Sequence, residues 1–341
     1  FTKGKSTEDA LISLTENIYA SLNNNNKTSG LFIDFKKAYD SIDRQQIWKL
    51  LKHYGIPDKL VNLVKACIIG SKGKVRVNGE LSNTFNINTG VRQGDGLSPL
   101  LFNLALEKTL KETEKLNVGI TLGQKINILA FADDIALVSE DYDGLKNLAR
   151  ELIMQAGKVG LKVSEEKTKY LVVDRTQNIF PNSLTIDNYI FQRCQDFKYL
   201  GVTIDNNNNE ETEIKIRILQ GNKCYWALHK LMKSKILSKT TKLRLYKSII
   251  LPIILYGSET WVLSKKSEKK LIVFENKILR TIFGPVNEDE TWRIRTNKEL
   301  RDLYQDPDII AQIKSKRLRW TGHIKRREVA SMLRTASESV P

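Results

Sequence analysis

Two adjacent carboxylates, Asp133 and Asp134, stand between apolar runs at 126–131 and 135–139 that each read as a β-strand. An unpaired charge buried beside such strands would cost several kcal/mol. The strands must therefore meet in a turn that leaves both acids at a solvated cleft. A bound dication would favour the same arrangement. Hard carboxylate oxygens suit Mg²⁺, which is held by one or two carboxylates together with substrate phosphates. An Asp-Asp pair alone is ordinary turn chemistry. The second element is Asp34, which ends its own apolar run (Leu31-Phe32-Ile33-Asp34-Phe35) 99 residues upstream. Three acids from two sequence-distant strands meet the needs of a two-metal phosphoryl-transfer site.

Between them lies Thr89-Gly90-Val91-Arg92-Gln93-Gly94-Asp95-Gly96-Leu97-Ser98-Pro99. Its glycines let backbone approach a ligand closely, Arg92 and Gln93 offer donors, and Ser98-Pro99 opens a helix whose N-terminus favours anions. Elsewhere Asp43 caps a helix over 44–54, and a second follows over 58–69. Asn78-Gly79 between 73–77 and 84–88 signals a hairpin. Helices are expected at 8–22, 98–115 and 144–159, and strands at 170–173 and 200–204. Beyond the Asn206–Asn209 run the pattern turns helical and basic, at 211–234, 239–255, 268–282 and 308–325.

The order D-F-K-K-A-Y-D at 34–40, G-V-R-Q-G-D-G-L-S-P at 90–99 and F-A-D-D at 131–134 resembles the reverse transcriptases of non-LTR (LINE-type) retrotransposons. Gly160–Thr168 looks like motif D of that family, and Phe197–Val202 like its primer-grip hairpin. Phe1–Thr7 is similar to a segment preceding its palm. The likeness covers residues 1–205 and continues more loosely to the end.

The resemblance implies an α+β right-hand polymerase: residual fingers at 1–30, a palm of antiparallel sheet with packed helices at 31–205, a helical thumb at 206–285 and a basic helical extension at 286–341. Asp34, Asp133 and Asp134 would hold two Mg²⁺ ions (Mn²⁺ as substitute), with the Phe35 carbonyl completing the shell. Tyr39 matches the residue that excludes a ribose 2′-OH, and Arg92, Gln93 and Gly94 border nucleotide and template. Lys167 matches a general acid for pyrophosphate departure, and Lys198, Tyr199, Leu200 and Gly201 would hold the primer end. The expected partners are an RNA template, a DNA primer or target and dNTPs. The setting is intracellular, nuclear for integration. A group II intron-type reverse transcriptase is the sister reading.

The first residue is not Met, which reads as a start inside a longer product. The fingers strand that would contact the triphosphate falls before Phe1. Against the full family pattern, these 341 residues are expected to hold neither an endonuclease nor a Cys/His knuckle. A nucleic-acid-binding remnant is therefore the reading from another class.

Charge supports a polyanion partner. Residues 1–205 carry 27 Lys/Arg against 24 Asp/Glu, whereas 206–341 carry 28 against 15, out of a total net charge of +16. Most of Trp226, Trp261, Trp292 and Trp320 are expected in the core, although aromatics among Lys and Arg can also stack on bases. Cys67, Cys194 and Cys224 read as reduced, mostly buried thiols. No apolar run reaches the length of a membrane span; the longest, 249–256, is broken by Pro252 and reads as core.

Overall fold

The computed structural model describes residues 6–24, 26–116, 118–122, 124–174, 180–288 and 290–326. Phe1–Lys5 of the pre-palm segment and residues 327–341 of the extension lie outside the described residues. The chain divides into two compact units, Phe1–Ala10 with Asn17–Gln195, and Leu11–Glu16 with Asp196–Pro341.

The first unit is built on four antiparallel strands: β1 (Thr28–Ile33), β2 (Ile128–Phe131), β3 (Asp134–Ser139) and β4 (Lys169–Val173), in the order β4-β1-β3-β2. All six residues of β1 are buried, the polar Thr28 and Ser29 included, as in a strand covered on both faces. The helix Tyr142–Lys158 packs on β1 and β3. Its Leu145, Leu148, Ala149, Leu152 and Ala156 recur at helical spacing and are buried. Ser98–Glu114 lies alongside, burying Leu101, Phe102, Ala105 and Leu106. The Asn78-Gly79 hairpin forms with both residues at positive φ. Its strands are Arg76–Val77 and Glu80–Leu81, whereas Phe85–Asn86 of the expected second run pairs with Lys72–Gly73.

The second unit opens with a hairpin, Asp196–Tyr199 and Val202–Asp205, followed by helices Glu210–Ala227, Lys265–Phe283, Asn297–Tyr304 and Ile309–Lys325. The expected boundary at 205/206 thus falls at 195/196, because the hairpin is bonded to the helices after it. Nor does 285/286 separate modules. Leu300, Tyr304, Ile309 and Ile313 share one core with Ile254, Leu271 and Ile278. Glu275, fully buried, accepts from the Tyr246 hydroxyl at 3.0 Å, Arg301 at 2.7 Å and the Ile309 N–H at 3.3 Å.

The helix expected over 239–255 is interrupted by a π-turn at Tyr246–Ile250. Pro252 lacks an N–H and its ring crowds the carbonyl four residues back, so the helix widens before it. In that run Ile250, Leu251, Ile254 and Leu255 are buried, while Ile249 and Tyr256 are exposed. Trp261 is buried, but Trp226 and Trp292 are exposed. No cysteine is buried and Cys67 is exposed, on the outer side of its helix. Among the described residues no helix is long and apolar enough to cross a membrane.

One buried cation ties the loop at 87–90 to the first unit's core. Arg44, 8% exposed, donates from Nε to the Gly90 carbonyl at 2.8 Å, from Nη1 to Ile87 at 2.8 Å and from Nη2 to Thr89 at 3.1 Å. Replacing it strands three carbonyls at once. Arg44→Met should lower unfolding stability in urea by about 2–4 kcal/mol. A loss below about 0.5 kcal/mol, the scale of an ordinary surface change, would contradict this role.

Candidate active site

Strand register brings the three acids together. In the β1–β3 ladder Ile33 faces Ile135, so the next residues outward, Asp34 and Asp134, stand opposite each other. β2 and β3 form a hairpin in which Phe131 pairs with Asp134, leaving Ala132 and Asp133 as its two-residue turn. Ala132 has φ 53, a conformation glycine adopts freely and alanine does not. Strain of this kind persists where flanking structure enforces it, here the buried strands on either side.

Asp133 and Asp134 are exposed and Asp34 half-buried. Partial burial, and after it the charges of Asp133 and Asp34, raise the Asp134 pKa above the usual carboxylate value. Among the described residues no three His, Cys, Asp or Glu side chains close into a metal-binding group. The carboxylates instead stand open, and the Lys167 ammonium lies 3.7 Å from Asp34 Oδ1. This donor set, hard oxygens with mutual repulsion at a solvated edge, fits a dication that takes its other ligands from water and phosphate.

The flank of Asp34 is fixed by the segment likened to motif D. The Asp34 N–H donates to Thr168 Oγ1 at 3.1 Å, and its carbonyl accepts from the Ser164 N–H at 2.7 Å. The Lys36 N–H donates to the Lys162 carbonyl at 2.8 Å, so Phe35 and Val163 form a bridge between these bonds. Carbonyls alternate sides along a strand. That of Phe35 therefore faces the other flank, the side taken by β3.

Tyr39 stacks on Phe102, with ring centroids 4.7 Å apart and planes 16° apart. Burial raises its pKa, with a further push from the charge of Asp133. Its carbonyl accepts from the Val91 N–H at 2.8 Å. Gly90, at φ 74, lies so close to Asp40 that a Cβ would sit 2.6 Å from its backbone; no other residue fits. These contacts hold Arg92, Gln93 and Gly94, all exposed, beside Tyr39. Arg92 Nη2 donates to Ser71 Oγ at 3.2 Å. Lys198, Tyr199, Leu200 and Gly201 belong to the second unit, with Tyr199 buried and Leu200-Gly201 as the turn.

Arg44, Ser71, Ser164 and Thr168 support this site and were not singled out in the sequence. Ser164 and Thr168 lie inside the Gly160–Thr168 segment, a signal that they sit near the acids. Nothing in sequence marks Arg44 as buried.

The raised Asp134 pKa sets a sign for pH dependence. Its contribution to stability is complete below its unfolded value of about 3.8 and is lost as the pH rises through the higher folded value. In EDTA at neutral pH, Asp134→Asn should melt above the wild type, with the gap closing as the pH falls toward 3.5. Millimolar Mg²⁺ should raise the wild-type Tm more than that of the variant. Identical melting curves across this range would remove Asp134 from the charge cluster.

Residues 1–204 match the family model described as reverse transcriptase (RNA-dependent DNA polymerase). A transposon-derived protein of Caenorhabditis elegans is 29% identical over 218 residues, covering 60% of this chain and 74% of that protein. The Pol polyprotein of a type-2 retrotransposable element of Drosophila melanogaster is 32% identical over 181 residues, covering 50% of this chain and 17% of the polyprotein. The RNA-directed DNA polymerase from transposon X-element of the same fly is 26% identical over 314 residues, covering 89% of this chain and 33% of that protein. This chain thus spans a third or less of those two longer relatives. A solved telomerase structure from Candida albicans aligns at 13% identity and TM-score 0.48, over 82% of this chain and 51% of that one. With well over half its length matched to a single family model, the chain belongs to the reverse transcriptase (RNA-dependent DNA polymerase) family.

Proposed function

We propose that this chain is the polymerase portion of a non-LTR retrotransposon enzyme, extending a DNA primer on an RNA template from dNTPs. The observation that carries the reading is the placement of Asp34 opposite Asp134, with Asp133 in the adjoining turn. Held by these aspartates and the Phe35 carbonyl, two Mg²⁺ ions, or Mn²⁺ in their place, would activate the primer 3′-OH and stabilise the leaving oxygen. The protein's own groups supply position and protons. Tyr39, backed by Phe102, would crowd a ribose 2′-OH. Arg92, Gln93 and Gly94 would border the incoming nucleotide and template, and Lys167 would donate a proton to departing pyrophosphate.

In this reading the first unit is the palm, and the second holds the thumb, primer-holding hairpin and basic extension. The second unit's charge supports a nucleic-acid partner. The Lys265–Phe283 helix alone carries Lys265, Lys266, Lys269, Lys270, Lys277 and Arg280, while one of its two acids, Glu275, is buried. Integration into chromosomal DNA would place its work in the nucleus.

Primer extension on an RNA template with Mg²⁺ tests the reading. Asp133→Asn should lower incorporation by about 10³-fold or more, the equivalent of several kcal/mol of charge stabilisation. Equal incorporation by both proteins would sink the catalytic assignment. No incorporation by either, with salt-sensitive RNA binding retained, would identify a binding remnant.

Sugar choice tests the role of Tyr39 separately. Tyr39→Ala should accept ribonucleotides about tenfold more readily, a scale set by lost steric discrimination. Unchanged sugar preference would reject the gate.

A further inference from the structure

The turn of the 196–205 hairpin is held by side chains from two later segments of the second unit. Leu200 and Gly201 form a two-residue turn with φ 46 and 81, both in the left-handed region. Such a turn at the tip of a hairpin ordinarily leaves its carbonyls to water. Here the Tyr256 hydroxyl donates to the Leu200 carbonyl at 2.8 Å, and the Arg217 guanidinium donates to the Gly201 carbonyl.

Both donors are themselves fixed. Arg217 pairs with Glu213 one helical turn earlier, the two side chains being 8% and 2% exposed. The guanidinium lies 4.8 Å from the centre of the Tyr256 ring. The second Glu213 oxygen accepts from the Thr203 N–H at 2.8 Å, beside the turn. The Tyr256 ring also covers Gly201, where a Cβ would come within 3.2 Å of it.

A buried Arg–Glu pair is a poor way to gain stability, because desolvation offsets much of the attraction. It gives direction: each polar atom aims at a particular backbone group. We propose that Glu213, Arg217 and Tyr256 are positioning residues that lock the turn to the helix, so that Lys198, Tyr199, Leu200 and Gly201 present a rigid seat for the primer 3′ end. The proposal rests on the primer-holding reading of this hairpin given above.

Tyr256→Phe is the discriminating variant, since Tyr256 is 38% exposed and loses only its hydroxyl. Fluorescence anisotropy without dNTP would compare a recessed-3′-end RNA–DNA template–primer with the same RNA single-stranded. The variant should bind the recessed end about five- to tenfold more weakly, the scale of one lost hydrogen bond, and the single strand unchanged. In extension assays the template–primer KM should rise by a similar factor while kcat and the dNTP KM hold. Arg217→Lys, which keeps charge but loses the fork, should shift the same readouts.

Wild-type affinity of Tyr256→Phe for the recessed end would overturn the proposal, as would equal weakening toward both ligands. A wild-type chain that extends no primer would instead overturn the polymerase reading. The anisotropy comparison would still decide the positioning role.

Discussion

β1 lies between two antiparallel neighbours, and its ladder with β3 sets everything around the acids. Because Ile33 faces Ile135, Asp34 and Asp134 emerge opposite each other where the ladder ends. A slip of one residue would turn every β1 side chain to the other face, taking Leu31 and Ile33 off the cluster they share with Ile135 and Leu137 and Asp34 away from its partners. The packing of Leu31 and Ile33 on that one face thus enforces the register, and the register places the charge. The strain at Ala132, of the order of 1–2 kcal/mol for a left-handed non-glycine residue, is borne by the same paired strands.

Around this core, buried or half-buried polar groups orient backbone. Thr168 and Ser164 hold Asp34 from one flank. Arg44 gathers three loop carbonyls so that Gly90 can close on Asp40 and bring Arg92-Gln93-Gly94 beside Tyr39. In the second unit Glu275 joins three segments, and Glu213 with Arg217 holds a hairpin turn. Satisfied ionic groups of this kind add little net stability but narrow the geometries a segment can take. Two arrangements follow from them, an open carboxylate cluster able to admit phosphate-bound cations and a hairpin tip with fixed carbonyls.

Much of the first unit was legible because its signals are local. Apolar runs gave the strands, Asp43 gave a cap that does accept from the Gln45 N–H, and Asn78-Gly79 gave its turn. The second unit was read less well. A single long helix over 239–255 contains a π-turn, because periodicity does not register the clash of Pro252 with the preceding turn. The residues expected to form a separate module after 285 share a core with the helices before them, because isoleucines look alike whether they pack within a segment or across to another. Glu213 and Arg217, four apart on a helix, have the spacing of an ordinary surface pair; only burial distinguishes them.

The sequence by itself determined the chemistry available: three aspartates at the ends of apolar strands, a glycine-rich turn between them, and a family likeness carried by their order. Strand pattern and acid position are properties of short segments, so they survive reading in one dimension. Tertiary structure alone decided that Asp34 stands opposite Asp134, that Lys167 approaches Asp34, and that Tyr39 rests on Phe102. It also decided that the tip of the 196–205 hairpin is held by residues up to 56 positions away. Register, burial and the direction of a buried hydrogen bond depend on partners distant in the chain, and no local pattern encodes where those partners will be.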